Sequence, residues 1–135
     1  MKTSINYQTE NYLKEYEAII NTIQYYIDGS REGKSDLMQP GFHSEATIVG
    51  HFGGGLVFGP IQKLYDLIDE NGPAPKIESK ISSIEIIETI AVIRLEVMHW
   101  SGNVLGPDVH MSDLFHLIKT EEGWKISHKA FHLNS

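Results

Sequence analysis

Residues 110–133 read HMSDLFHLIKTEEGWKISHKAFHL. Apolar side chains recur with a period close to two on both sides of Glu121-Glu122-Gly123, which is typical of two strands joined by a tight turn. The same period extends upstream to Lys76. We therefore predict a meander of four antiparallel strands, over residues 76–87, 91–100, 110–120 and 124–133.

Upstream of the meander the apolar spacing changes to three and four, which is typical of amphipathic helices. It predicts a first helix over residues 12–28 with Gly29 as its C-terminal cap. A second, short helix is expected over Ser35–Gln39, capped by its first residue. A third is expected over Ile61–Glu70, with Pro60 in its first turn.

Between the second and third helices, residues 46–52 are rich in β-branched side chains and predict a further strand. We interpret Gly53-Gly54-Gly55 as the turn after it, with residues 56–58 pairing back. The alternative for the triple glycine is a close backbone approach to a ligand. Helices first and a meander after them indicate an α+β fold.

Composition limits the possible functions. A chain of 135 residues without cysteine is expected to form one domain, residues 1–135, with no disulfide or thiolate metal site. Its net charge of -7 argues against nucleic acid and anionic membranes as partners. The polar start, residues 1–9, shows no signal peptide or membrane span, so we expect a cytoplasmic protein.

Several short motifs follow one another in this order of elements: Phe42-His43, Ala46–Ile48, Gly59-Pro60, Asp113–Leu117, Glu122–Ile126 and Lys129–His132. With these motifs, the order of elements resembles the nuclear transport factor 2-like superfamily, over about residues 12–133. Within it the chain is similar to the bacterial branch labelled putative lumazine-binding, a neighbour of the SnoaL-like polyketide cyclases. The resemblance implies a curved sheet wrapped on three helices, forming a cone with a pocket.

The hairpin predicts which side chains face each other. A three-residue loop at Glu121–Gly123 sets His116 opposite His128, and Asp113 opposite Phe131 and diagonal to Lys129. A two-residue loop shifts every pair by one. We favour the first register.

The resemblance places the catalytic carboxylate of the superfamily's isomerases on a strand position matching Asp113. The looser loop before it predicts His99 as a cross-strand neighbour, which would make a His/Asp pair suited to general base catalysis. Tyr16 is the candidate oxyanion donor. The alternative for Asp113 is a salt bridge to Lys129, and for His99 a satisfied residue at a strand end.

We expect the ligand to be bound by aromatic and histidine side chains, because small-molecule sites are mostly apolar with a few polar groups. For His116 and His128 a stacked pair at a dimer interface is the alternative. No metal or other cofactor is expected. The candidate ligand-binding residues are His43, His51, Phe52, Phe58, Trp100, Phe115, His116, His128 and His132.

Both faces of the last strands carry apolar residues, whereas a sheet covered on one side normally has a polar outer face. We therefore expect a homodimer packed sheet to sheet. Three functions remain open: a small-molecule-binding protein, a cofactor-independent isomerase, dehydratase or cyclase that uses His/Asp acid–base chemistry, and a dimeric interaction module with a vestigial pocket.

Overall fold

A computed structural model describes the backbone of residues 2–134 and the side chains of residues 11–134. Its helices are α1 (Lys2–Glu32), α2 (Ser35–Met38) and α3 (Gln62–Asn71), with a short 3-10 turn at Gln39–Gly41. Its strands are β1 (Phe42–Phe52), β2 (Gly55–Pro60), β3 (Glu78–Ile87), β4 (Ile90–Gly102), β5 (Gly106–Thr120) and β6 (Gly123–Asn134).

The six strands form one curved, open sheet in the order β2-β1-β6-β5-β4-β3. All neighbours are antiparallel except β1 and β6, which run parallel. The predicted α+β fold and four-strand meander are confirmed, and the strand over residues 46–52 begins earlier, at Phe42.

The core lies between the helices and the concave face of the sheet. Ile19, Ile23 and Tyr26 of α1 are fully buried there, as are Ile93 and Leu95 of β4. The apolar side of α3, Leu64, Tyr65 and Ile68, is buried as its spacing predicts.

The ends of the helices differ from the prediction. α1 begins at Lys2, because an apolar stripe marks only the part of a helix that packs and misses polar turns. Gly29 is not the cap. It lies inside α1, where a Cβ would stand 2.8 Å from Met38 Cβ, and the helix ends before Gly33, whose φ is +69°. Ser35 does not cap α2 either: its hydroxyl donates to Asp69 at 2.9 Å.

The β5–β6 hairpin combines both registers considered from the sequence. Thr120 pairs with Gly123, so the turn itself is the two-residue form. A bulge at Ser127 then adds one residue to β6, and beyond it His116 faces His128 and Asp113 faces Phe131. The favoured pairs are therefore confirmed, although the favoured turn is wrong.

Candidate functional site

A cavity of about 300 Å³ lies between α3 and the β1–β2 end of the sheet. Its wall is mostly apolar, which is the usual composition of a small-molecule site. Leu56, which is 61% exposed, stands at its mouth, and Lys63 and Asp66 add charge from the exposed side of α3. The other lining residues are Ile48, Phe52, Val57, Leu64, Leu67, Trp100, Leu105, Met111, Lys129 and Phe131.

Lys129 is the buried charged residue in this wall. Its side chain is 1% exposed, and its Nζ lies 3.0 Å from Oδ1 of Asp113, which is 0% exposed. Among the described residues, Oδ1 has this ion-pair partner but no hydrogen-bond donor in good geometry. The other carboxylate oxygen, Oδ2, accepts a hydrogen bond from the Tyr26 hydroxyl at 2.9 Å.

Burial controls the protonation of these three groups. Burial raises the pKa of Asp113 above its ordinary value, and the opposing effects of Lys129 and the Tyr26 hydroxyl do not cancel the rise. Burial lowers the pKa of Lys129, against the attraction of Asp113. The pKa of Tyr26 lies well above its usual range, first because of burial and then because of the Asp113 charge.

Two aromatic residues shape the cavity. The ring of Phe131 lies against Gly50 so closely that a Cβ there would stand 2.5 Å from it. Trp100 is 1% exposed, and among the described residues its Nε1 has no hydrogen-bond partner. An unpaired buried N–H costs roughly 1–3 kcal/mol, which a ligand oxygen within reach would offset.

The predicted catalytic residues do not come together. Bulges in β4 give His99 a φ of +60°, and its imidazole points outwards, 53% exposed, with Nδ1 3.4 Å from Asp108. The predicted His99–Asp113 neighbourhood is therefore wrong, because Leu95 pairs with Asp113. Tyr16 stacks on Tyr12 at a ring distance of 6.4 Å, and it is Tyr26 that reaches Asp113.

Of the predicted ligand-binding residues, Phe52 and Trp100 line the cavity. Phe115 is buried beside Tyr26, with ring centroids 5.0 Å apart. Phe58 is 69% exposed, and His51 is exposed on β1. Neither lies in the cavity wall.

The remaining predicted histidines lie on the convex face of the sheet or at its edge. The rings of His116 and His128 are 5.7 Å apart, and His128 Nδ1 lies 2.7 Å from the Thr47 hydroxyl. Burial lowers the pKa of His128, and the nearby His116 lowers it further. His132 is exposed opposite Ser112, and His43 Nδ1 accepts a hydrogen bond from the Glu45 backbone N–H at 3.0 Å.

The salt bridge from Asp113 to Lys129, which the sequence offered as the alternative to a catalytic role, is present, and the strand pattern carries the signal for it. With His128 and Ala130 on the convex face, the alternation of β6 places Lys129 on the concave side together with Phe131. A charged residue in the inward phase of a strand needs a buried partner, and Asp113 stands in the same phase on β5. Tyr26 gave no such signal, because it falls in the ordinary apolar stripe of α1.

Among the described residues, no group of three or more His, Asp or Glu side chains is arranged to hold a metal ion. In the same part of the chain, no helix has the length and apolarity to cross a membrane.

Comparison with known proteins points to one family. A family model described as "Putative lumazine-binding" matches residues 14–132. Among curated proteins, an aldolase named FrzH from Cladobotryum sp is 29% identical over 118 residues, which are 87% of this chain and 90% of that protein.

Solved structures of similar proteins agree with the fold. An NTF2-like protein of unknown function from Methylobacillus flagellatus KT is 36% identical with a TM-score of 0.82, over 90% of this chain and 94% of that one. Another, from Shewanella baltica OS155, is 33% identical with a TM-score of 0.81, over 92% and 97%. A ketosteroid isomerase-like protein from Erwinia carotovora atroseptica, 15% identical with a TM-score of 0.67 over 88% and 95%, shares the fold.

Proposed function

The chain belongs to the family described as "Putative lumazine-binding", and from that membership and the geometry of its cavity we propose that it binds a small, largely apolar molecule between α3 and the β1–β2 end of the sheet. The observation that carries the proposal is the cavity of about 300 Å³ whose apolar wall contains one buried charged residue, Lys129. A pocket of this kind holds a ligand by apolar contact and orients it by a few polar groups.

The test is a thermal-shift screen of flat heterocycles, lumazine among them, and of apolar metabolites. A ligand that binds only the folded state raises its melting temperature with concentration. We expect at least one compound to stabilise the wild type by several degrees. Val57→Trp, which fills the cavity from β2, should remove that shift.

Val49→Trp is the matched control for this experiment. Val49 lies on the neighbouring strand but pairs with Phe58 and Ala130, so it faces the convex side and not the cavity. The ligand shift should therefore survive in Val49→Trp. A shift that disappears equally in both variants, or that persists in Val57→Trp, would place the ligand elsewhere.

A second candidate function is cofactor-independent acid–base catalysis on the bound molecule. The observation favouring it is the buried Lys129–Asp113–Tyr26 cluster, which reaches the cavity wall through Lys129 and can accept and return a proton away from bulk water. The naming of one relative as an aldolase agrees with it. Here Asp113 acts with Lys129, and not with His99 as the sequence suggested.

We also propose that two copies pair through the convex face of the sheet. Ile90, Val92 and Leu114 lie there, 49%, 42% and 47% exposed. A patch of this kind on a sheet is typical of an association surface. His116 and His128 border it and would become part of the interface.

A further inference from the structure

The amine of Lys129 lies at the wall of the cavity and out of bulk water. Its Nζ is 3.7 Å from Met111 Sδ and 4.6 Å from the centre of the Phe131 ring, and both of those residues line the cavity. The whole side chain is 1% exposed. The cavity therefore brings a bound molecule to a lysine that the solvent does not reach freely.

A buried ion pair such as Lys129–Asp113 is not by itself a source of much stability. Removing two charges from water costs about as much as their attraction returns, so that well-packed apolar residues often replace a buried pair without loss of stability. Two neutral partners avoid that cost. Burial lowers the pKa of Lys129 and raises that of Asp113, and both shifts make it easier for the Lys129 ammonium to pass a proton to Asp113, which leaves a neutral amine beside a carboxylic acid.

A neutral, desolvated lysine amine beside a proton carrier is suited to attack a carbonyl carbon. We infer that Lys129 forms an imine with a small aldehyde or ketone bound in the cavity. This names the ligand class and rests on the proposed binding function. Asp113 is the group that moves the protons, since its Oδ1 lies 3.0 Å from Nζ.

The steps balance without a cofactor or an oxidant. The Lys129 ammonium gives one proton to Asp113, the amine lone pair forms the C–N bond, and the C=O π electrons move to oxygen. Asp113 returns its proton to that oxygen, which gives the carbinolamine with its nitrogen still protonated. A second proton from nitrogen then passes through Asp113 to the hydroxyl, the C–O bond breaks, and water leaves. The sum is ammonium plus carbonyl giving protonated imine plus water, with Asp113 again a carboxylate.

The surroundings define the ligand further. Ile48, Leu64 and Leu105 favour an apolar body, and the unpartnered Nε1 of Trp100 is a donor suited to an oxygen of the ligand. Tyr26 is a positioning residue, because its hydroxyl holds Oδ2 of Asp113 and leaves Oδ1 to Lys129. The preferred substrate is therefore a small, uncharged aldehyde or ketone with an apolar ring or chain.

The experiment traps the imine. Wild-type protein is incubated with benzaldehyde and sodium cyanoborohydride, which delivers hydride to a protonated imine and fixes it as a secondary amine. Peptide mass mapping then locates the adduct. We expect labelling at Lys129 ~10-fold or more faster than at the exposed Lys80, because the cavity holds the bound carbonyl beside Nζ, whereas Lys80 meets the aldehyde only from free solution.

Two lysine variants assign the reaction to one amine. Lys129→Arg keeps a positive charge for Asp113 but forms no imine, so the fast adduct should vanish. Lys63→Arg changes the lysine at the rim of the same cavity, and the adduct at Lys129 should remain. If Lys129→Arg does not fold, the wild-type map still decides, since fast labelling of Lys129 supports the inference and an unlabelled Lys129 overturns it.

Benzyl alcohol has the same ring and no carbonyl. It therefore tests binding in the cavity separately from imine formation at Lys129. If it stabilises the wild type but not Val57→Trp, while benzaldehyde leaves Lys129 unlabelled, the imine is overturned and the binding function stands. If the metabolite screen finds no ligand and Lys129 stays unlabelled, both are overturned.

Discussion

At the scale of single residues, the hydrogen bond from Tyr26 to Asp113 is a sensitive point of the site. The donor satisfies a carboxylate oxygen that water does not reach, and it partly offsets the rise in the pKa of Asp113 that burial causes. Without it, the ionised carboxylate would depend on Lys129 alone.

We therefore expect Tyr26→Phe to lower the free energy of unfolding by about 1.5–3 kcal/mol at neutral pH, the usual range for a hydrogen bond to a charged group. The variant also raises the pKa of Asp113 further. The loss should consequently shrink as the pH falls through the folded-state pKa of Asp113, because a protonated Asp113 needs the donor less. Urea unfolding at a series of pH values measures this.

Tyr65→Phe is the control for that experiment. Tyr65 is also buried, and its pKa is raised to about 12 by burial alone. Removing this hydroxyl should change the free energy of unfolding little, and the change should not depend on pH. An equal, pH-independent loss in both variants would contradict the role given to Tyr26.

The residues that face each other within the hairpin could be predicted from the sequence. The helix residues that pack against them could not. Alternation on β5 and β6 is enough to bring Asp113, Phe131 and Lys129 to one side. Which helix residue completes the group depends on how α1 crosses the sheet, and the sequence led to Tyr16 where packing supplies Tyr26. His99 was misplaced because a bulge reverses the direction of its side chain.

At the scale of elements, Asn71 joins the end of α3 to the β4–β5 loop that supplies Leu105 to the cavity. Its Oδ1 accepts the backbone N–H groups of Val104 and Leu105 at 3.0 and 2.9 Å, and its Nδ2 donates to Ser101 O at 2.9 Å. Asn71 is also the last residue of α3. Three contacts across thirty or more residues show that it organises the loop as well.

We expect Asn71→Ala to destabilise the protein by about 2–4 kcal/mol, because the backbone groups that it satisfies in the loop would be left unpaired. Asn71→Asp keeps the acceptor and loses the donor to Ser101, so its loss should be smaller. Asn103→Ala, which removes an exposed 3.4 Å contact to Glu70 O, is the control. Thermal unfolding ranks the three, and a loss in Asn103→Ala as large as in Asn71→Ala would refute the assignment.

Element types were readable from the sequence because each follows from a local period of apolar residues. The ends of elements and the bulges were not, since they depend on contacts made in the tertiary fold. Gly29 and Gly33 illustrate the difference. Both are suitable caps by residue type, and the close approach of Met38 to Gly29 keeps that residue inside the helix.

At the scale of the whole molecule, the convex face of the sheet remains without a covering layer. A stable interface takes about 800 Å² from each partner, which is roughly a tenth of the 8123 Å² accessible surface of this chain. The patch of Ile90, Val92 and Leu114 lies on strands β4 and β5, central enough for a second sheet to pack over it.

We expect the wild type to be a dimer at micromolar concentration and Leu114→Arg to be a folded monomer, because an arginine in the centre of a sheet-to-sheet contact would be buried without a partner. Light scattering coupled to size-exclusion chromatography gives the mass, and circular dichroism confirms the fold. Leu13→Arg is the control, since Leu13 is 54% exposed on α1 and the helices cover the opposite face. A monomeric wild type would contradict the proposed dimer. If Leu13→Arg is monomeric as well as Leu114→Arg, the loss of the dimer would be due to the added charge and not to the position of Leu114.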